Sequence, residues 1–427
     1  MDRLFRDVFP FSEPPKIKVV NWGKADLSKI YLTDTTLRDG QQGWKYLTVE
    51  EGLEIYELLH EIGGKGSIRS TEVFLYTARD RALAKAIMEK GYEYPKPVAW
   101  IRANLQDLNL VSEIGLDEAV VLMSISDYHI VYKFNSTRDV VIGKYLSVAE
   151  EAFKRGITIK ASLEDVTRAD LDNVVIPFLQ KLINLSERYG VKLKVKLPDT
   201  LGVGMPFEFV PPPRGIPALV TRIREETNLR EEDIEFHGHN DLGLVVANHL
   251  AAWFYGAASS NVTLLGIGER AGNCPLEVMA IHYAGIKGLS DINLRPLGRV
   301  RELFEKMGYR VPDHLPILGK NAFRTKAGIH ADGLLKNPEV YLPFDPYYLL
   351  GIPVSVEITP HSGRAAVAFW LKQMLGEDSI SKDSQAVQQI FDEIVQLFEK
   401  TGRTQPLTDE EMLEIASKYY PQLRKKR

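Results

Sequence analysis

The chain has 427 residues, 44% of them hydrophobic and 26% charged, with a formal net charge of −4. That is the composition of a globular protein with a large core, and the near-neutral balance excludes a general nucleic-acid binder. Its one cysteine, Cys274, excludes an intrachain disulfide, and no apolar run nears the ~18 residues of a membrane span. The N-terminus lacks the basic-then-apolar layout of a secretory signal, so a cytoplasmic location is expected.

After a lead-in through Pro14-Pro15, strand and helix signals alternate. Strands are expected at 30–36, 67–74, 97–102, 118–126, 157–164, 192–199, 234–239 and 261–268. Segments with helical periodicity follow them, clearest at 49–62, 78–90, 146–155, 171–189, 217–226, 244–255 and 276–287. Such alternation means parallel strands joined by crossover helices. Periodicity alone also allows an open doubly wound sheet, but eight units over about 260 residues predict a closed (β/α)8 TIM barrel, an α/β fold. The expected divisions are an N-terminal extension (1–27), the barrel (28–288) and a smaller, mostly helical C-terminal region (289–427). Within that last region 291–308 reads as helix and 321–344 as a polar stretch punctuated by Gly and Pro. Further helices are expected at 365–375, 386–400 and 409–418. The run Arg424-Lys425-Lys426-Arg427 reads as a solvated tail.

Barrel enzymes place their chemistry at the C-terminal ends of the strands. Here Arg38-Asp39 and Gln42 follow the first strand, and Ser162 and Glu164 close the fifth. Asp199-Thr200 close the sixth, and His237-Gly238-His239 closes the seventh. Alternate residues of a strand share a face, so His237 and His239 point the same way. Two imidazoles and a carboxylate make a mixed N/O site for a divalent cation. The plainer reading of an isolated H-x-H is a pair of hydrogen-bonded core histidines. Arg38-Asp39 reads either as a surface ion pair beside a turn at Gly40 or as a ligand carboxylate next to a fixed cation. Such a cation can stabilise negative charge developing on a carbonyl oxygen, which suits carbon–carbon bond chemistry at a 2-oxo acid. Of Ser162 and Glu164, one can hold a substrate carboxylate while the other handles protons, a structural hydrogen bond being the alternative. The glycines of 266–273 resemble a phosphate cradle but lack a P-loop ending, and close backbone approach over the barrel mouth explains them as well. Cys274 reads as a buried structural thiol.

Four runs occur in order: 34–42, 237–243, 266–273 and Ala327-Gly328-Ile329-His330-Ala331-Asp332-Gly333. Together they resemble the acyl-CoA-dependent condensing enzymes of the isopropylmalate synthase and homocitrate synthase family, over roughly residues 28–365. The resemblance implies a (β/α)8 barrel with a divalent metal at its mouth and acetyl-CoA as co-substrate. Mg or Mn suits the oxygen-rich site, and two imidazoles admit Co or Zn. It implies Asp39, His237 and His239 as metal ligands, with Asn273 a further candidate. Arg38, Glu164, His330 and Tyr341 match catalytic positions, and Gln42, Ser162 and Thr200 match substrate contacts. Arg69 on the second strand is a candidate cation for a second substrate carboxylate, with a surface salt bridge as the alternative. In the family the segment carrying His330 and Tyr341 reaches into the neighbouring subunit's site. A homodimer with shared sites is therefore expected, acting on small molecules, with no nucleic-acid or membrane partner.

Departures from the family pattern are Thr325 in place of a His, Lys160 in place of an Arg, and a second strand that does not read Ile-Glu-Val from Ile68. Other stretches are similar to the Re-stereospecific citrate synthases of this group. They include 68–76, Trp100-Ile101-Arg102-Ala103, Ser126-Asp127-Tyr128-His129-Ile130 and 164–170. That likeness implies condensation of acetyl-CoA with oxaloacetate to citrate, with release of CoA. Homocitrate synthase (2-oxoglutarate) and isopropylmalate or citramalate synthase are alternatives, differing at the far end of the 2-oxo acid pocket. A hydroxymethylglutaryl-CoA lyase-type enzyme fits less well, because the Gly-Ile-His segment is present and Cys274 follows Asn273 rather than a Gly-Gly pair. A non-catalytic barrel also fits less well, because every carried-over position holds a competent residue.

Overall fold

A computed structural model of the chain describes residues 4–19, 25–326 and 328–426. The first three residues, 20–24 of the expected extension, Ala327 of the Gly-Ile-His run and Arg427 of the basic tail lie outside the described residues. The chain divides into two compact units, Ile17–Arg310 and the residues up to Lys16 together with Val311–Arg427.

In the first unit eight parallel strands close on themselves in sequence order, which removes the open-sheet alternative. They are β1 (Tyr31–Asp34), β2 (Ile68–Val73), β3 (Lys96–Arg102), β4 (Glu118–Leu122), β5 (Thr158–Ser162), β6 (Leu193–Asp199), β7 (Ile234–Gly238) and β8 (Ser259–Val262). The circle closes where β1 pairs with β8, Tyr31 opposite Ser259 through Asp34 opposite Val262. The crossover helices are α1 (Val49–Gly63), α2 (Ala78–Glu89), α3 (Leu105–Ile114) and α4 (Arg138–Lys154), then α5 (Ile176–Tyr189), α6 (Ile216–Thr227), α7 (Val245–Tyr255) and α8 (Leu276–Lys287).

Local chemistry sets these elements. Thr48 and Thr77 form capping boxes with Glu51 and Asp80, satisfying free N–H groups at the starts of α1 and α2. Asn104 caps α3, which buries Leu108, Val111 and Ile114 at three-residue spacing. Strand interiors are β-branched where both faces are covered, as at Val120, Val121 and Val195.

Three strands differ in extent from the sequence reading for a physical reason. β8 occupies 259–262 rather than 261–268. It opens on hydroxyls that are fully used inside: Ser259 donates to Glu235 Oε2 at 2.8 Å, and Ser260 Oγ lies 2.6 Å from His249 Nδ1. Beyond Val262 the chain turns through Leu264–Gly266, with Leu265 at φ 60°. β4 and β5 stop at Leu122 and Ser162, which releases the residues after them into loops at the barrel mouth.

The barrel unit also runs past residue 288, to 310. A 3-10 turn at Arg295–Arg299 and α9 (Val300–Lys306) bury Leu297, Val300 and Phe304. The ring of Phe304 lies 5.8 Å from that of Trp44.

The second unit is mostly helical. It holds a parallel pair, β9 (Arg324–Thr325) with β10 (Ser355–Val356). Its helices are α10 (Gly328–Lys336), α11 (Pro346–Leu350), α12 (Arg364–Leu375), α13 (Gln385–Thr401) and α14 (Asp409–Ala416). α10 falls in the stretch expected to be irregular. Only Ala331 and Leu334 are buried along it, too thin an apolar stripe to show as periodicity. Val367, Trp370 and Leu371 of α12 share a core with Val387, Ile390 and Ile394 of α13. The segment before Lys16 belongs to this unit, where the Asp345 N–H donates to the Phe11 carbonyl at 2.8 Å. No described helix is long and apolar enough to cross a membrane.

Candidate active site

Asp39 sits on a single π-helical turn, Thr36–Gly40, that leaves the end of β1. His237 is the fourth residue of β7, and His239 lies just beyond the strand. One ligand atom from each of the three lies within 4.8 Å of the others, and all three residues are buried. The two Nε2 atoms are 3.4 Å apart, and they lie 3.4 Å (His237) and 3.7 Å (His239) from Asp39 Oδ2.

Asn261 on β8 orients the first imidazole. Its Nδ2 donates to Thr33 Oγ1 at 3.0 Å and to Glu72 Oε1 at 3.2 Å, so its Oδ1 faces His237 Nδ1 at 2.8 Å. His237 Nδ1 therefore carries the proton, and its Nε2 lone pair points at the cluster. Burial pushes the His239 imidazole down to about 4, so it is neutral at neutral pH. Burial works to raise the Asp39 carboxyl, but the Arg38 guanidinium and the two imidazoles outweigh it and hold the group well below its usual value. Asn273 Nδ2 donates to Asp39 Oδ2 at 2.7 Å. Its own Oδ1, like His239 Nδ1, is buried without a hydrogen-bond partner among the described residues. A carboxylate and two imidazole nitrogens converging on one spot fit a divalent cation. Cys274 is buried outside this cluster, and burial pushes its thiol well up, as a structural thiol requires.

Beneath the cluster runs a chain of buried charges that sequence reasoning missed. Arg38 Nε and Nη2 each lie 3.0 Å from Glu72 Oε2, and Nη1 lies 3.3 Å from Asp39 Oδ1. The guanidinium also packs over the Trp100 ring, 5.2 Å from its centroid. Glu72 continues to Lys196, Lys196 Nζ to Glu235 Oε1 at 3.1 Å, and Glu235 Oε2 to Lys160 Nζ at 2.7 Å. Thr35 and Thr33 donate to Glu72 and Glu235 at 2.9 and 2.7 Å. Burial raises the Glu72 carboxyl, but Lys196 and Arg38 overcome this and hold it below its usual value. The second strand thus supplies its acid from Thr71-Glu72-Val73, three residues later than a reading from Ile68 suggests. The signal was available: charged residues at alternating positions in otherwise apolar strands.

The remaining sequence-derived residues divide. Ser162 ends β5, two residues beyond the inward-facing Lys160, and is buried. Thr200 Oγ1 accepts from the Asp165 N–H at 2.8 Å. Gln42 lines a cleft of about 600 Å³ with Tyr46, Phe74, Tyr76, Trp100 and Arg102 at the ends of the first three strands. Glu164 lies past the end of β5, contacted by His129 and Lys133, two residues given no role from sequence. In the second unit the rings of His330 and Tyr341 are 4.4 Å apart. Arg69 requires correction. It is the second residue of β2, at the end of the barrel opposite the mouth. Its guanidinium packs 4.0 Å from the centroid of the Tyr31 ring, and its Nε donates to Gly66 O at 3.4 Å. It cannot serve a substrate bound at the metal cluster.

The 266–273 loop is explained by close approach rather than phosphate cradling. A β-carbon on Gly43 would collide with the carbonyl of Gly268, and one on Gly268 would collide with the Asn273 side chain. The loops after the first and last strands therefore touch through bare backbone.

A closed barrel with an Asp-His-His cluster and a fixed arginine at one rim is an arrangement suited to metal-assisted carbonyl chemistry. Residues 29–304 match the HMGL-like family and residues 317–402 the homocitrate synthase post-HMGL domain-like family. The chain belongs to the HMGL-like family and, with both segments present, is an acyl-transferring condensing enzyme of the kind its synthase relatives are. It is 41% identical to the citrate (Re)-synthase of Clostridium kluyveri over 98% of this chain and 94% of that protein. It is 39% identical to the 2-phosphinomethylmalate synthase of Streptomyces hygroscopicus over 82% of this chain and 80% of that one. Among solved structures, the hydroxymethylglutaryl-CoA lyase of Pseudomonas aeruginosa shares the fold. The TM-score is 0.54 at 18% identity, over 69% of this chain and 97% of that one.

Proposed function

We propose that the chain condenses acetyl-CoA with oxaloacetate to give citrate and free CoA, with Re-face stereochemistry. The observation that carries this reading is the Asp39–His237–His239 cluster beside a buried, doubly anchored Arg38, in a chain similar along nearly its whole length to a citrate (Re)-synthase. A divalent cation held by Asp39, His237 and His239, with Asn273 alongside, would supply Lewis acidity toward the 2-oxo acid, Mg or Mn being the best-suited ions.

The chain's own residues account for the rest. Glu72 and Trp100 fix the guanidinium plane of Arg38, so its free N–H groups meet the charge that develops on the keto oxygen. A base removes one methyl proton from acetyl-CoA, that carbon bonds to the keto carbon, and the keto oxygen takes up a proton. Water then cleaves the thioester, leaving a carboxylate and the CoA thiol. Glu164 serves the proton transfers together with His330 and Tyr341 of a neighbouring subunit, in a cytoplasmic homodimer. Gln42, Ser162 and Thr200 hold the 2-oxo acid.

Thiol release with acetyl-CoA and a panel of 2-oxo acids tests the substrate. Oxaloacetate should exceed 2-oxoglutarate, 2-oxoisovalerate and pyruvate in kcat/KM by about 100-fold or more. Faster turnover of any of the other three overturns the assignment. Subunit mixing tests the shared site. Glu164→Gln and His330→Ala homodimers should each be nearly inactive, and confirmed heterodimers should regain activity. No recovery would place His330 in its own subunit's site.

A further inference from the structure

Glu164 lies just past β5 and meets a second element, the π-helical turn His129–Lys133 in the loop after β4. Single π-helical turns are rare and concentrate at functional sites. Lys133 Nζ lies 2.7 Å from Glu164 Oε2, and His129 Nδ1 lies 3.1 Å from the same atom. Ser124 Oγ donates to it too. Lys133 also reaches Ser124 Oγ at 3.3 Å, which links two of the donors. All three contacts fall on Oε2, and among the described residues none falls on Oε1.

The other charged and titratable groups around Glu164 are few. Tyr145 of α4 donates to the Ser124 carbonyl at 3.1 Å. Asp165 follows in the chain, with its Oδ2 3.8 Å from His129 Nε2, and Arg168 pairs with Asp165 at 2.7 Å.

We propose that Lys133 and His129 are positioning residues: from their π-helical turn they hold Glu164 as an anion by one oxygen and leave the other oxygen to the reacting groups. The proposal rests on the reading of Glu164 as catalytic. Three donors on one oxygen fix both the rotamer and the charge of the carboxylate. Burial works to raise this carboxyl, and the hydrogen bonds from His129 and Lys133 overcome it and bring the group down to about 2. In the resting site Glu164 therefore accepts a proton or orients a donor, and a proton given to the substrate comes from another group.

Lys133→Met and Lys133→Arg in the full chain test this, because the Lys133 side chain is largely exposed and its loss leaves the core intact. One readout is carboxyl-labelled glutamate NMR, with the Glu164 signal assigned by its absence in Glu164→Gln. In the wild type the signal should stay ionised down to about pH 4.5. In Lys133→Met its midpoint should rise by about one unit or more, since a donor that lowered it is gone, and Lys133→Arg should restore most of the shift. The second readout is thiol release. Lys133→Met should lower kcat about tenfold with little change in either KM, yet cost less than about twofold in a Glu164→Gln background. An unmoved NMR midpoint in Lys133→Met overturns the proposal. So does a raised KM for the 2-oxo acid that persists undiminished in the Glu164→Gln background, which would make Lys133 a substrate ligand. A wild type silent with every 2-oxo acid would count against the functional reading alone, because the NMR midpoint still decides the clamp.

Discussion

The two poles of the barrel mouth are built on different plans. Around the Asp39 cluster, Asp39, His237, His239 and Arg38 are all buried, and Arg38, His237 and Asp39 are held by the buried side chains of Glu72, Asn261 and Asn273. At the opposite pole, Glu164 is held by Ser124 and by His129 and Lys133 of a loop, the Lys133 side chain being 42% exposed. The first plan suits a task whose geometry must not change, binding a cation and meeting a developing charge. The second suits a group that must exchange partners as substrate arrives. Preorganisation is thus concentrated where charge develops.

That contrast can be broken experimentally. The largest effect should come from emptying the Asp39 cluster. After exhaustive chelation, thiol release should fall to background, and Mg or Mn added back should restore it. Full turnover in chelator would remove the reason for the cluster.

Next comes Arg38→Lys. Lysine keeps the charge but cannot hold Glu72 by two nitrogens while facing the substrate. Loss of one oxyanion stabiliser costs about 3–4 kcal/mol, so kcat should drop roughly 100- to 1,000-fold. Metal affinity, followed by calorimetry, should stay close to that of the wild type. A near-normal kcat would mean that the anchoring of Arg38 has no catalytic purpose.

The smallest effect calibrates the others. Arg69→Gln lies at the far end of the barrel, outside both poles, and should change kcat/KM for oxaloacetate by less than about twofold. A large rise in KM for that substrate alone would return Arg69 to the site.

The barrel and the gathering of Asp39, His237 and His239 beside Arg38 were legible because each rests on a pattern sequence displays directly. Strands and helices alternate, His237 and His239 share one face of a strand, and Asp39 stands where a strand runs out. Glu72, Lys160, Lys196 and Glu235 were not legible as one network. Their bonding joins four different strands, and one strand's alternation does not say which charges on other strands it will meet. The start of β8 was missed for a related reason: a barrel interior filled with hydroxyls and amides has no apolar run to announce it. Arg69 was misplaced although the governing rule was in hand. Its position near the start of β2 puts it at the opposite end from the chemistry, whatever its charge suggests.

The bare contact between Gly43 and Gly268 bears on how this enzyme can be engineered. It is the seam of the cylinder, where the loop carrying Asp39 leans on the loop carrying Asn273 with no side chain between them. A circular permutant whose new ends open either loop would separate those two residues along with the backbone they stand on. A saturation library at Gly43 would return almost nothing but glycine, since even alanine must push the two loops apart, and any side chain at Gly268 must displace that of Asn273. Retailoring of the substrate pocket is better begun across the mouth, around the exposed Lys133, where side chains already meet solvent.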